Sequence, residues 1–292
     1  MFKDSNFLLF LLGVLPGLIY AFIIYLNSPI RTIRLKPSSF YILFGTLSIF
    51  IVMGIHFIFP YWSSHVDLMV TNTDGITFIP TTFSIIFQNF IQVGLTEELS
   101  KAIIFFIATN YRHKTRVEDD HPFAIMFYVC MVSLGFALVE NVDYIWSALN
   151  GRFFVSAEVV GLKRTFSAIL GHMSFGLIMG YFFALTKKPL HGNNSDITVF
   201  NVWVKHKIKF RNTFFIICGI LVSSIIHGMY DLNLYISKSE DFIIPIGKND
   251  FLVHSPSLKL VGFCFLITYF MGKDLIKWGD ESKKEITKTP SN

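Results

Sequence analysis

Residues 94–106, GLTEELSKAIIFF, set Glu97, Glu98 and Lys101 inside an apolar run long enough to cross a membrane. A charged side chain near the bilayer centre costs a few kcal/mol (~2.5–3.5), so such groups face a bundle interior or a wet cavity and not lipid. On a helix Glu97 and Lys101 stand i,i+4 and Glu98 and Lys101 stand i,i+3, which lets one ammonium serve both carboxylates. The stretch therefore predicts either an ion-pair cluster that locks helices together or a functional centre built inside a membrane bundle.

The apolar setting extends along the chain. Of 292 residues, 52% are hydrophobic and 15% charged, and 33 are Phe; the mean hydropathy is +0.54. This composition predicts an all-α fold, a polytopic membrane helical bundle of about seven transmembrane helices, with the ionisable groups gathered in a four-helix core of the third to sixth spans. A formal charge of +5 would suit nucleic acid, but the basic residues are sorted between loops, so no nucleic-acid role is expected. Cys130, Cys218 and Cys264 sit in apolar runs without CxxC spacing, so neither a disulfide framework nor a thiolate metal site is indicated.

Working outward, apolar runs lie at 7–26, 40–59, 83–109, 122–141, 164–186, 212–236 and 257–276. The first lacks a basic leader and a small-residue cleavage site and reads as a retained helix. The third is longer than one crossing needs, and Gly94 is a candidate bend. The chain reads as a single integral membrane domain over 1–292, with core helices in 83–236, a basic cytoplasmic loop at 187–211 and a polar cytoplasmic tail at 277–292. Within that loop, VFNVWVKHKIKF at 199–210 fits a solvated basic segment better than a helix lying on the inner leaflet. Arg31, Arg34, Lys36, Arg112, Lys114, Arg116, the basic loop and the tail fall on one side, and the loop at 60–82 has no Lys or Arg. The sorting places the N-terminus outside and the C-terminus in the cytoplasm.

With that orientation, polar groups from separate spans reach similar depths. Glu140 lies about 27 Å along the fourth span from its inner end, and His172 about 12 Å below the outer end of the fifth. His227 and Asp231 reach the outer half of the sixth, and Glu97 and Glu98 join the same layer from the third. Phe136 and Glu140 share a face at i,i+4, as do His227 and Asp231, so Asp231 could fix the His227 tautomer or share a metal with it. Each residue has a plainer reading: Glu140 reaching headgroups from a helix end, His172 as an interhelical hydrogen-bonder, Arg164 as an interfacial anchor. Arg164 and His172, eight apart, are expected on one helix face.

Three patterns in order, Glu97-Glu98-x-x-Lys101 in EELSK, Phe136-x-x-x-Glu140 in GFALVEN and His227-x-x-x-Asp231 in HGMYD, resemble the PrsW family of intramembrane proteases, which is grouped with the CAAX prenyl proteases. Asn141, Arg164 and His172 match the setting of those motifs, and the resemblance covers residues 93–235. It implies a bacterial cell-membrane endopeptidase that cleaves a membrane-anchored protein, such as an anti-sigma factor, near the outer face within the lipid bilayer. Catalytic roles would fall to Glu97, Glu98, Lys101, Glu140, His172, His227 and Asp231, with Phe136, Asn141 and Arg164 lining the substrate cavity. A carboxylate of the Glu97/Glu98 pair would activate water. A zinc version would draw on Glu98, Glu140, His172 and His227; with no HExxH in the chain, the metal-free glutamate scheme is preferred. A proton- or ion-coupled transporter would bury the same residue types, and a non-catalytic binding or immunity protein could keep the scaffold.

Overall fold

The computed structural model describes residues 4–26, 35–59, 68–72, 75–79, 82–113, 121–152, 156–187, 200–236, 241–246 and 249–288. The segments carrying Arg31, Arg34, Lys114 and Arg116, parts of the 60–82 loop, residues 188–199 and the tail beyond Lys288 lie outside them. Helices α1 (Asp4–Leu26), α2 (Leu35–Thr46) and α3 (Ser48–Ile58) precede a hairpin of β1 (Leu68–Asn72) and β2 (Gly75–Ile79). Next come α4 (Thr82–Phe87), a π-helical segment (Gln88–Leu95), α5 (Thr96–His113), α6 (Pro122–Leu149), α7 (Ala157–Phe166), α8 (Ala168–Leu185) and α9 (Phe200–Ile236). A second hairpin, β3 (Asp241–Ile246) with β4 (Asn249–His254), leads into α10 (Ser255–Lys288). Both hairpins are antiparallel, in registers that pair Asn72 with Gly75 and Ile246 with Asn249. The body is a helical bundle, as expected, and the two small ribbons are additions that the sequence reading left as loops.

The bundle is organised around α6. Its start is set by His121, whose side chain accepts from the Phe123 N–H at 3.2 Å, with Pro122 at the first helical position. Its end is followed by Gly151 in the left-handed region at φ 72°. Of its most apolar stretch 83% is buried within protein, against 22% for Lys36–Ile58 and 33% for Lys209–Leu234, so α6 is central and the others face outward. Helix α2 reaches α6 through paired glycines: a Cβ on Gly45 would meet the Val132 carbonyl, and one on Gly135 the Ile42 carbonyl. Close approach at small residues is how helices gain contact where lipid removes the hydrophobic drive between them. The outer faces are apolar, as in the α9 stripe Phe214, Ile217, Leu221 and Ile225.

Among the described residues four helical stretches are long and apolar enough to cross a membrane: Lys36–Ile58, Pro122–Leu149, Ala157–Leu185 and Lys209–Leu234. A shorter apolar helix covers Leu11–Leu26. The third and seventh expected runs are helical as well, but carry Glu97, Glu98 and Lys101 in one and Lys259, Lys273 and Asp274 in the other.

Several boundaries differ from expectation, each for a physical reason. Helix α6 continues to Leu149, so Glu140 lies inside the helix and not at its end. The fifth run is two helices, because Ser167 departs from helical geometry at φ −117° and turns its hydroxyl to the Lys163 carbonyl at 2.7 Å. Arg164 and His172 fall on either side of that turn, in α7 and α8, and both side chains reach the same α6 oxygen, Glu140 Oε2. Residues 200–211, expected as loop, are the first turns of α9; Arg211 ties them to α8 by donating to the Thr186 carbonyl at 3.2 Å. Helices of 37 and 34 residues, α9 and α10, run about 50–55 Å, well beyond the ~30 Å hydrocarbon core, so their charged ends project past it.

Candidate active site

The π-helical segment leads straight into EELSK. Its irregular turn leaves the Gln92 carbonyl to side-chain donors, and Thr96 Oγ1 at 2.6 Å and His56 Nε2 at 3.2 Å supply them. The segment packs on α9 through two glycines: a Cβ on Gly94 would stand 2.7 Å from the Ser224 carbonyl oxygen, and one on Gly228 would stand 2.7 Å from the Phe90 ring. This contact carries His227 to Glu98.

Glu98 and Lys101 are wholly buried, and Glu98 Oε1 accepts from Lys101 Nζ at 2.6 Å and from the Nδ1–H of His227 at 2.9 Å. Lys101 Nζ also lies 3.0 Å from His172 Nδ1, 3.6 Å from Glu97 Oε2 and 4.3 Å from the Phe136 ring centroid. An ammonium only donates, so His172 Nδ1 is the acceptor and its Nε2 carries the proton. That Nε2–H donates to Glu140 Oε2 at 2.7 Å, and Arg164 Nη2 makes an ion pair with the same oxygen at 2.7 Å. Arg164 Nε donates to Asn141 Oδ1 at 2.7 Å.

His227 turns its other nitrogen, Nε2, toward Asp231 Oδ2 at 3.5 Å and Glu97 Oε2 at 3.8 Å. Glu98, not Asp231, makes the direct hydrogen bond to His227. The two imidazoles meet edge to face with centroids 5.0 Å apart. All ten residues singled out in the sequence thus come together, from α5, α6, α7, α8 and α9. The sequence reading missed Phe175, whose ring stacks on His227 at 4.9 Å, and the π-helical segment. Phe175 stands i,i+3 from His172, a spacing that could have marked it.

Among the described residues Glu97, His172 and His227 present ligand atoms all within 4.8 Å of one another. Glu97 Oε2 is buried and makes no hydrogen bond, an acceptor available to a cation. Two imidazoles and a carboxylate with a position left over is the donor set of catalytic zinc sites, so the residue types fit such an ion once His172 Nδ1 releases Lys101. A ligating histidine commonly donates its remaining N–H to a carboxylate, and His172 has Glu140 for that purpose. The group differs from the one expected from sequence by substituting Glu97 for Glu98 and Glu140; Glu98 Oε1 is shared by Lys101 and His227, and Glu140 Oε2 by Arg164 and His172.

Residues 38–260 match the family model described as PrsW family intramembrane metalloprotease. The chain belongs to the PrsW family. The match extends beyond the motif-bearing helices to α2, α3, the first hairpin and the start of α10, which the motifs alone did not cover. Protease PrsW of Clostridioides difficile (strain 630) is 30% identical over 153 residues, 52% of this chain and 53% of that protein. Protease PrsW of Geobacillus kaustophilus (strain HTA426) is 25% identical over 224 residues, 75% of this chain and 76% of that protein. That of Oceanobacillus iheyensis (strain DSM 14371) is 31% identical over 116 residues, 40% of this chain and 48% of that protein. The matched region spans about half the length of the first and third relatives and three quarters of the second. No solved structure matches the chain significantly. Membership of this bacterial family and the apolar helices make the protein an integral membrane protein.

Proposed function

We propose that the protein is an intramembrane endopeptidase that cleaves a membrane-anchored protein near the outer face of the bilayer. The observation that carries this reading is the buried relay in which Glu98 joins Lys101 to His227 and Lys101 joins Glu98 to His172. Isolated ion pairs that brace helices need no such convergence of acids and imidazoles from separate helices. The PrsW relatives point to the same reaction class.

Each residue has a task in peptide hydrolysis. Glu98 and Lys101 hold each other's charge and fix the His227 ring; Glu140 holds the Nε2–H of His172. Glu97 Oε2, which like Glu98 Oε2 and Asp231 Oδ2 is buried without a hydrogen bond, takes the proton of the attacking water in a metal-free scheme. In a metal-dependent scheme Glu97, His172 and His227 hold the ion. A bound Zn²⁺ would act as a Lewis acid toward the scissile carbonyl and make water nucleophilic near neutral pH. Lys101 and Arg164 are the nearby cations toward which negative charge on the substrate oxygen would be drawn. Seven spans with the N-terminus outside, the reading that the sorted basic residues support, would set the cluster in the outer half of the membrane. A membrane-anchored regulator of the anti-sigma type is the substrate class that fits this depth.

The test is a terminus-mapping experiment in bacterial cells that express the wild type, Glu98→Gln or His227→Ala at equal levels. New termini beside transmembrane segments of single-pass proteins should appear with wild type and vanish with both variants. Termini that persist in both variants would remove the site assignment, and ion movement by the purified protein without cleavage would return it to the transporters.

A further inference from the structure

We infer that Arg164 is a positioning residue that sets His172 through Glu140, by gripping α6 with the Nε/Nη2 edge of its guanidinium. An arginine at the end of an outer-leaflet helix ordinarily snorkels toward the headgroups. Arg164 does the opposite: its side chain is 13% exposed and its polar atoms turn inward. Nη2 pairs with Glu140 Oε2 at 2.7 Å, Nε donates to Asn141 Oδ1 at 2.7 Å, and Cζ stands 3.8 Å over the Tyr144 ring. Tyr144 stands i,i+4 from Glu140 and i,i+3 from Asn141, so the three partners border one strip of α6. Asn141 is itself wholly buried, with its Nδ2 turned to the Gly13 carbonyl of α1 at 3.5 Å. Arg164, in α7, and His172, beyond the turn at Ser167 in α8, reach the same Glu140 oxygen.

The consequence is geometric. With Oε2 fixed by Arg164, the Nε2–H of His172 has one place to point, and Nδ1 faces Lys101 at 3.0 Å. Lys101 sets the tautomer from the Nδ1 side, and Phe136 and Phe175 wall the ring at centroid distances of 5.4 and 6.0 Å without a polar contact, so the tilt that aims Nε2–H depends on Glu140. A lysine at 164 would keep the charge but lacks the planar fork that spans Glu140 and Asn141.

The experiment reads the ring directly, by ¹⁵N-histidine NMR of purified Arg164→Gln and Arg164→Lys in detergent, with the His172 signal assigned by its loss in His172→Ala. Wild type should show one downfield Nε2–H resonance, hydrogen-bonded to Glu140; Arg164→Gln should move it upfield as that bond loosens, with Arg164→Lys between. A wild-type Nε2–H shift in folded Arg164→Gln overturns the inference; if Arg164→Gln does not fold, a wild-type shift in Arg164→Lys overturns it instead. The kinetic arm rests on the proteolytic reading: kcat on fluorescent casein should fall about 10–100-fold in Arg164→Gln with KM little changed. Unchanged kcat in folded Arg164→Gln counts against the inference, whereas a wild type that leaves casein uncut defeats the proteolytic reading for this probe while the NMR arm still decides the role of Arg164.

Discussion

Lys101 Nζ lies 2.6 Å from Glu98 Oε1 with both side chains fully excluded from the surface. Removing one member of a buried pair leaves an uncompensated charge, a loss of about 3–5 kcal/mol, whereas replacing both with neutral groups is often close to neutral. Lys101→Met should therefore destabilise the bundle strongly in denaturant titrations in mixed micelles, and Lys101→Met with Glu98→Gln should recover most of the loss. Additive losses in the double variant would show that the two residues act on stability separately. Neither variant should cleave substrate, since both lose a residue of the relay.

The contact between the π-helical segment and α9 makes a second expectation. A methyl on Gly228 would enter Phe90, 2.7 Å from the ring and 2.9 Å from its Cα, so backbone as well as side chain must give way. Gly228→Ala should cost about 1–3 kcal/mol, as overpacking does, and should move His227 off Glu98. Gly262, where an added Cβ meets nothing within 4 Å, is the control. Gly262→Ala should leave activity intact and stabilise its helix by up to about 1 kcal/mol. Thermal melts and cleavage rates of the two variants give the comparison, and equal behaviour would remove the argument for a tight contact.

The constellation was legible in sequence because its geometry is largely local. Glu98 and Lys101, Phe136 and Glu140, and His227 and Asp231 are paired by helical spacing alone. What spacing could not show is which carboxylate meets which imidazole. His227 bonds Glu98, 129 positions away, and not its own-helix neighbour Asp231, because the close seat of Gly94 on α9 decides the approach. The break at Ser167 was equally hidden, since 164–186 reads as one apolar run and a single serine is compatible with a continuous helix. The start of α9 was misread for a different reason. The charge of Lys205, Lys207 and Lys209 suggested a loop, but lysine is also a good helix former, so charge does not fix the local conformation.

Metal dependence separates the two chemical schemes. If Glu97, His172 and His227 hold zinc, wild type purified without chelator should contain close to one ion per chain by elemental analysis. His172→Ala and Glu97→Gln should lose most of it, and chelation should abolish cleavage that added Zn²⁺ restores. Retained zinc in both variants would place the ion elsewhere. Full activity in chelated, zinc-free protein would select the metal-free scheme, with Glu97 as the base.

The orientation can be read from two exposed positions flanking the fifth run. Asn150 follows α6 and Lys187 follows α8, and the distribution of Lys and Arg puts the first outside and the second in the cytoplasm. After Cys130, Cys218 and Cys264 are replaced by serine or alanine, Asn150→Cys should react with a membrane-impermeant maleimide in intact cells. Lys187→Cys should react only after permeabilisation. The reverse pattern would invert the bundle and move the Glu98, His172 and His227 cluster to the cytoplasmic half, where a substrate cut on its outer flank could not reach it. Labelling of both positions in intact cells would mean that α7 and α8 do not cross as one span. In that case the break at Ser167 would be a re-entrant turn, and the count of seven crossings would fall with it.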